Sequence, residues 1–232
     1  MRILISAAAA LAAAMALVGC EDAASSDQTS VQPKSAVSVP QGSGFDFYVL
    51  ALSWSPSYCA SYGDRANTQQ CEADEPFGFV VHGLWPQFAR GYPTACPTDR
   101  SLSVPRTLSD SMLDIMPSTG LVRHEWREHG TCSGLSQDDY FAVTRLAFET
   151  IEIPQDGEMR RDGQTVDPDN VEEAFLAANP GLPRDAIAVT CGRHYLRDVR
   201  ICLSRDLSGY VACPKVDASA CRRSGAVMPA IR

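Results

Sequence analysis

The ten residues FDFYVLALSW, at positions 45–54, mark the point where this chain changes from a polar segment to a folded domain. Their aromatic and branched apolar side chains favour a buried β-strand. Residues 21–44, just before them, are rich in Ser, Ala, Pro and Gly and lack an apolar periodicity, which predicts a flexible tether. We therefore expect one folded domain over residues 45–232.

Further strands are predicted at both ends of this domain. The apolar run FGFVVHGLW, at 77–85, follows the first strand closely. Three more strand-like runs occur towards the C-terminus, at 186–191, 194–204 and 209–214. The residues RDLSG between the last two suit a hairpin turn.

Helices are predicted between these two groups of strands. Capping residues and prolines delimit them, as at Ser136 and at Asp167-Pro168. The predicted helices span residues 107–116, 118–129, 136–151 and 167–179. Strands at both ends with helices grouped between them predict an α+β fold: a single domain with a central antiparallel sheet flanked by helices.

The first 20 residues predict an export signal. A basic start is followed by an Ala-rich apolar run over residues 3–18, which is too short for a membrane-spanning helix. The run ends in Leu17-Val18-Gly19-Cys20, which resembles a bacterial lipobox, so we expect Cys20 to become the lipidated first residue. The alternative is an ordinary secretory signal cleaved nearby. We expect a lipoprotein in the periplasm or at the cell envelope, held by its lipid only, or otherwise a secreted protein.

The cysteine count agrees with export, because disulfide bonds form in oxidising compartments. The chain has nine cysteines, and setting aside Cys20 leaves an even number that could form four bridges. The sequence alone leaves about 105 pairings open. No C-x-x-C pair occurs, which argues against a structural zinc site. The eight remaining cysteines are Cys59, Cys71, Cys96, Cys132, Cys191, Cys202, Cys213 and Cys221.

The formal net charge of −8 disfavours a protein that holds nucleic acid tightly over a large surface. It is compatible with an enzyme that binds a short stretch of nucleic acid and releases it. An acidic balance also favours solubility.

The segment RHEWREHGTC, at 123–132, contains two of the four histidines in the chain. On a helix with about 100° per residue, His124, Glu125, Glu128 and His129 fall within an arc of about 140°. Imidazole groups can transfer protons near neutral pH, so this face could perform acid–base catalysis. Chance clustering on a solvated helix face remains the alternative.

A zinc site is the third interpretation of this segment. A zincin helix has two histidines four residues apart, so that both reach one metal ion. Here the two histidines are five apart, and the inverted H-x-x-E-H pattern is also absent. The spacing therefore argues against a metalloprotease.

A third histidine, His82, lies in VVHGLWPQ near the end of the second predicted strand. A histidine there, followed by glycine, is well placed to project into a cleft. The alternatives are structural, because a half-buried histidine is common and Trp85 could be a core residue.

Taken together, the two histidine segments resemble the ribonuclease T2 family of base-nonspecific acid ribonucleases. HGLWP at 82–86 matches the first family motif at all five positions. Residues 124–132 match the second motif, H-E-W-x-K-H-G-T-C, at every fixed position except Glu128, where the family has lysine. The resemblance extends from Phe45 to Cys221, and FYVLALSWSPSYC resembles the first strand and first cysteine of the family.

The resemblance also implies how the cysteines pair. All eight cysteines after Cys20 are used, and none is left over. The implied bridges are Cys59–Cys71, Cys96–Cys132, Cys191–Cys221 and Cys202–Cys213.

The activity implied by the resemblance is an endoribonuclease that needs no metal and no cofactor. It would cleave single-stranded RNA by transphosphorylation, leaving 2′,3′-cyclic phosphate ends with little base specificity. RNA carries its own nucleophile, the 2′-hydroxyl, so two imidazoles suffice as base and acid. We expect a monomer whose one substrate is RNA.

The family pattern assigns a role to each matching residue. His129 would be the general base and His82 the general acid. His124 would hold the phosphate, and Glu125 would help to stabilise the transition state. Trp85 would stack on a base of the substrate.

Glu128 replaces the lysine that would supply a cation to the substrate phosphate. We expect its carboxylate to pair with His124, which lies one helical turn away. The departure from the motif also leaves a second function open. This alternative is an exported, disulfide-rich RNA-binding protein of the same fold with weak or no turnover.

Overall fold

The computed structural model describes residues 38–159 and 165–231. The predicted signal at 1–20, the lipidation site Cys20 and tether residues 21–37 lie outside the described residues. The last part of the predicted tether, residues 38–44, packs on the domain. Gly42 is buried, and the Ser43 N–H donates a hydrogen bond to the Ser133 carbonyl at 2.9 Å. Part of the segment predicted as a tether therefore belongs to the folded unit.

The order of the elements follows the predicted grouping, with most helices between strands that lie towards the two ends of the domain. The described strands are β1 (Phe47–Trp54), β2 (Phe79–Gln87), β3 (Thr165–Val166), β4 (Ile187–Cys191), β5 (Leu196–Leu203) and β6 (Ala226–Val227). The described helices are α1 (Ser55–Tyr62), α2 (Thr68–Cys71), α3 (Arg106–Asp110), α4 (Thr119–Glu128), α5 (Gln137–Glu149), α6 (Asp156–Met159), α7 (Pro168–Ala178) and α8 (Pro214–Asp217). Short 3₁₀ turns occur at Gly63–Arg65, Gly130–Cys132 and Arg184–Ala186.

A four-stranded antiparallel sheet in the order β2-β1-β5-β4 forms the centre of the domain, and β3 and β6 pair separately. This confirms the predicted α+β class with a central antiparallel sheet. The first predicted strand, β1, is a central strand of the sheet. Its side chains alternate between the two faces, and Tyr48, Leu50, Leu52 and Trp54 on one face are almost fully buried in the core.

Helices α4 and α5 both begin after a serine cap, and the sequence predicted the cap of α5 at Ser136. The Ser118 hydroxyl accepts from the Leu121 N–H, and the Ser136 hydroxyl accepts from the Asp139 N–H. Both helices bury their apolar side chains against the sheet and against each other, as Trp126 does beside Tyr140. This packing holds α4 beside β2.

Two predicted elements differ from the structure. The helix predicted over 107–116 ends at Asp110, and the following turns leave the Ile115 carbonyl to accept from the Val81 N–H of β2. The strand predicted over 209–214 is absent from the described residues apart from one bridge between Leu203 and Tyr210. After this bridge the Cys213 N–H donates to the Asp185 carbonyl, so the chain leaves the sheet.

The structure contains the four disulfide bonds that the family resemblance implies. Cys96–Cys132 ties the loop at 88–105 to the end of α4, and Cys59–Cys71 joins α1 to α2. Cys191–Cys221 joins the end of β4 to the C-terminal segment, and Cys202–Cys213 holds β5 to the segment before α8. Within the described ranges, no helix has the length and apolarity needed to cross a bilayer.

Candidate active site

His82 reaches the site because β2 carries a bulge at this residue. Ala51 pairs with Gly83 and the next residue, Leu52, pairs with Val81, so His82 is an extra residue in β2. Its Nδ1 lies 3.7 Å from Asp198 Oδ1, and its Nε2 lies 3.8 Å from Glu125 Oε1. These distances are too long for hydrogen bonds but short enough for strong charge attraction.

The two carboxylates determine the proton affinity of His82. Burial alone lowers its pKa, but Asp198 and Glu125 favour the cationic imidazole and together raise the pKa above its ordinary value. His82 therefore keeps its proton to higher pH than a free histidine.

Glu125 projects from α4 into the centre of the site and is 1% exposed. Its Oε2 accepts a hydrogen bond from Trp85 Nε1 at 2.9 Å. Burial raises the pKa of Glu125 to about 7, against the opposing effects of the His82 charge and the Trp85 N–H. Its Oε1 is buried beside His82 and has no hydrogen-bond partner among the described residues.

Gly83 explains why the first motif needs a glycine after the histidine. A Cβ atom at this position would overlap the Glu125 carboxylate and the Trp85 indole. The missing side chain gives Glu125 room to reach from α4 to the indole N–H.

His129 lies just past the end of α4. Its backbone has left the helical conformation, with φ −124° and ψ −46°, so the helical wheel does not describe its direction. Its Nε2 lies 3.9 Å from Glu125 Oε2, and its ring lies 5.4 Å from the Trp85 ring. Burial, followed by the charges of His124 and His82, lowers the pKa of His129 to about 4. It is therefore neutral at mildly acidic pH and able to accept a proton.

Trp85 contacts several groups of the site. Besides donating to Glu125, its ring packs edge-on to His82 at 5.3 Å and lies 5.2 Å from the Arg200 guanidinium carbon. With His129 also against the ring, Trp85 holds the relative positions of the catalytic candidates. The base-stacking role implied for it stays a prediction.

His124 is exposed, and its charge acts on His129. It lines, together with His82, a cleft of about 770 Å³. The structure thus places all three motif histidines around one site, with His124 on the solvent side.

Glu128 does not make the expected pair with His124. Its Oε2 accepts a hydrogen bond from Thr94 Oγ1 at 3.0 Å, and no ion pair joins it to His124 in the part of the chain that the structure describes. The reason lies in the loop at 88–105. The Cys96–Cys132 bridge and a bond from the Ala95 N–H to the Glu128 carbonyl bring Thr94 to this carboxylate.

Two charged residues of β5 belong to the site and were missed from the sequence. Asp198 is buried, accepts from Ser53 Oγ at 2.7 Å and from Arg197 Nε at 3.1 Å, and has a pKa far below its ordinary range. Burial alone would raise that pKa, but His82, Ser53 and Arg197 outweigh the effect. Arg200 lies over Trp85, with Nη2 3.4 Å from Asp198 Oδ2. Their two-residue spacing within an apolar strand was the available signal, because it puts both on one sheet face.

Histidine and carboxylate side chains, which the site contains, are common metal ligands. Over residues 38–159 and 165–231, no three His, Cys, Asp or Glu side chains are arranged to hold a metal ion.

Comparison with known proteins gives a family model and several relatives. The model of the ribonuclease T2 family matches residues 45–213. A ribonuclease of Aeromonas hydrophila is 35% identical over 185 residues, covering 73% of this chain and 76% of that protein. A probable ribonuclease of Haemophilus influenzae is 38% identical over 121 residues, covering 47% and 44%. The RNase-related protein from Calystegia sepium has the same fold, with a TM-score of 0.62 at 23% identity, over 81% of this chain and 98% of that one.

Fold, site and relatives together define an RNA-cleaving enzyme, an endoribonuclease. Within that class, the chain belongs to the ribonuclease T2 family.

Proposed function

We propose that this protein cleaves single-stranded RNA without a metal ion, by transphosphorylation to 2′,3′-cyclic phosphate ends, with little base specificity. The observation that carries the mechanism is the opposite shift of two imidazoles that flank one buried carboxylate. The pKa of His82 is raised, whereas that of His129 is lowered to about 4. Groups with pKa values pushed apart in this way are suited to separate acid and base roles.

The reaction follows from these protonation states. Neutral His129 removes the proton of the ribose 2′-hydroxyl, and the oxygen attacks the adjacent phosphorus. The bond from phosphorus to the 5′-oxygen breaks, and protonated His82 gives its proton to that oxygen. The products are a cyclic phosphate and a free 5′-hydroxyl. DNA lacks the nucleophile and is not cut.

The phosphorane formed on this path carries more negative charge than the bound RNA, so groups that bind this charge favour the transition state. Below about pH 7 Glu125 is largely protonated, and its unpartnered Oε1 can then donate to a phosphoryl oxygen. His124 contributes a second donor from the solvent side of the cleft.

Arg200 is the cation that takes the place of the family lysine. Its guanidinium lies over Trp85 on the site face of β5, and among the described residues its one hydrogen bond goes to Asp198 at 3.4 Å. Its buried Nε has no hydrogen-bond partner among the described residues. A guanidinium with unused donors beside the two imidazoles is suited to a phosphate.

The test is end-group analysis of an oligoribonucleotide incubated with the protein and a chelator. Cyclic phosphate ends that form in the presence of the chelator support the proposal. The variants His82→Ala and His129→Ala should each lower turnover by about 10²–10⁴-fold. Loss of activity on chelation contradicts metal independence, and no cleavage at any pH favours the RNA-binding alternative.

We further propose that the protein is an exported monomer, held at the cell envelope by a lipid on Cys20. The support is the lipobox-like sequence and the use of the other eight cysteines in four bridges. Metabolic labelling with a fatty acid should mark the wild-type chain and not Cys20→Ala. Equal labelling of both chains contradicts lipidation of Cys20. A dimer in size-exclusion chromatography after detergent extraction contradicts the monomeric state.

A further inference from the structure

The cleft at His82 and His124 continues well past the catalytic residues. It runs along α1 to the segment that joins β4 to β5, residues 192–195, and its volume is about 770 Å³. One end is lined by His82, His124 and Asp198 of the reaction centre described above. The other end contains none of the residues used in the mechanism. This part of the cleft therefore binds either a different ligand or a further part of the same substrate.

The charge of this far end is opposite to that of the chain. Arg65, Arg193 and Arg197 line it, and Asp198 is the one carboxylate among the described lining residues. Arg65 and Arg193 are exposed and form no ion pair in the part of the chain that the structure describes. Arg197 donates to Asp198, so two unpaired guanidinium groups remain at this end. In a protein of net charge −8, they favour a ligand with more than one negative charge.

Two tyrosines provide an aromatic surface in the same part of the cleft. The rings of Tyr58 and Tyr62 lie 4.9 Å apart at 40°. Tyr58 is fixed because its hydroxyl accepts from the Asn67 N–H at 3.1 Å, whereas Tyr62 is 52% exposed. An exposed aromatic ring beside arginines in a groove is the combination that binds single-stranded nucleic acid, with bases on the rings and phosphates on the cations.

Both walls of the far end are rigid. Arg223 donates hydrogen bonds to the carbonyls of Arg193 at 2.6 Å and Gly192 at 2.7 Å, next to the Cys191–Cys221 bridge. The opposite wall, α1, is joined to α2 by Cys59–Cys71. A groove fixed in this way loses little entropy when a flexible strand enters it.

We propose that the far end of the cleft binds RNA beyond the dinucleotide at the scissile phosphate, with Arg65, Arg193 and Arg197 on the phosphates and Tyr62 on a base. This inference rests on the proposed function, because it places the RNA from the reaction at His82. The ligand class is a single strand, since a duplex does not expose its base faces to a tyrosine.

The experiment compares a dinucleoside phosphate with a ten-residue oligoribonucleotide in kcat/KM at several salt concentrations. The double variant Arg65→Gln/Arg193→Gln should lower the ratio of decamer to dinucleotide kcat/KM by about tenfold at low salt. For the decamer, the slope of log kcat/KM against log salt concentration should be less negative by about 1.4 in this variant. Each phosphate contact to a single strand contributes about 0.7 to the slope, and the variant removes two such contacts. Tyr62→Ala should lower the ratio by about fivefold and leave the slope as it is, because stacking involves no counterion release.

The matched control is Arg106→Gln/Arg184→Gln, which makes the same change of net charge at exposed positions outside the cleft. This control should have the same ratio of decamer to dinucleotide kcat/KM as wild type, and the same salt slope. An equal fall for both substrates, or a ratio in the Arg65 and Arg193 variant that matches wild type, overturns the inference. Failure of the proposed function looks different, because the wild-type protein would then cleave neither substrate. In that case the affinity for a 2′-deoxy decamer decides, and equal affinity of the double variant and wild type refutes the inference.

Discussion

Glu125 shows how a single buried side chain affects the protonation of its neighbours. Desolvation raises its pKa to about 7, while its partial charge favours a protonated His82. The Trp85 N–H fixes one of its oxygens and leaves the other beside His82. At about pH 6 the site therefore combines a proton donor, a proton acceptor and a largely neutral carboxyl group.

Asp198 provides the sharpest test of this arrangement at the level of one residue. It raises the pKa of His82, and it is absent from the groups that shift His129. In Asp198→Asn the pKa of His82 should fall, so His82 loses its proton at lower pH. We expect the alkaline limb of the pH profile of kcat/KM to move to lower pH, while the acid limb near pH 4 stays. At pH 7 the rate should fall by roughly tenfold, a part of what general acid catalysis contributes.

The control for this prediction is Asp110→Asn, which removes an exposed carboxylate on α3. Its pH profile should match that of wild type. An unchanged alkaline limb in Asp198→Asn, or an equal shift of both limbs, contradicts the role assigned to Asp198.

At the scale of elements, the sequence predicted those features that depend on neighbouring residues. Caps at Ser136 and Asp167 located α5 and α7, and the apolar run at 45–54 located β1. The two long motifs identified the three histidines and Glu125. Short segments with strong local signals are predictable because their caps, turns and periodicity act within a few residues.

The remaining features depend on residues far apart in the sequence. The bulge that aims His82 exists because β2 pairs with β1, and the turns after α3 are joined to β2 by a hydrogen bond from the Val81 N–H to the Ile115 carbonyl. Asp198 and Arg200 join the site only because β5 pairs with β1, where Ser53 faces Asp198 and Ala51 faces Arg200. Strand pairing of this kind cannot be derived from a local pattern.

Arg200 on β5 supplies the positive charge that the family has at position 128 on α4, where this chain has Glu128. This substitution of one cation for another can be tested. Arg200→Gln should lower kcat by about tenfold to a hundredfold with little change in KM, because the cation acts mainly on the transition state. Adding Glu128→Lys to this variant restores the cation at the family position and should recover a large part of kcat.

Steady-state kinetics of the two single variants and the double variant gives the coupling between the positions. Compensation requires that Glu128→Lys helps more in the Arg200→Gln background than in wild type. Equal gains in both backgrounds show that the two charges act independently, which would refute the assignment of Arg200 as the substitute cation.

At the scale of the molecule, the four disulfide bonds differ in how much they affect catalysis. Removal of either Cys96–Cys132 or Cys202–Cys213 by paired Ala substitutions should lower the free energy of unfolding by about 2–5 kcal/mol in urea titrations. The first pair also ties the loop at 88–105 to α4, where Thr94 holds Glu128. We therefore expect kcat to fall in Cys96→Ala/Cys132→Ala and to be kept in Cys202→Ala/Cys213→Ala, measured well below both melting temperatures. Equal kcat in the two variants contradicts this distinction.

The cleft that leads away from His82 and His124 makes a long RNA a bivalent ligand. A strand that fills both the reaction centre and the arginine-lined end is held by two sets of contacts, and each set raises the effective concentration of the other. Cleavage at His82 separates these sets, so each fragment keeps only one and dissociates faster than the intact strand. Product inhibition then stays weak while long RNA is present. Digestion slows sharply once the fragments are too short to bridge both ends, which gives a mixture of oligonucleotides of limiting length.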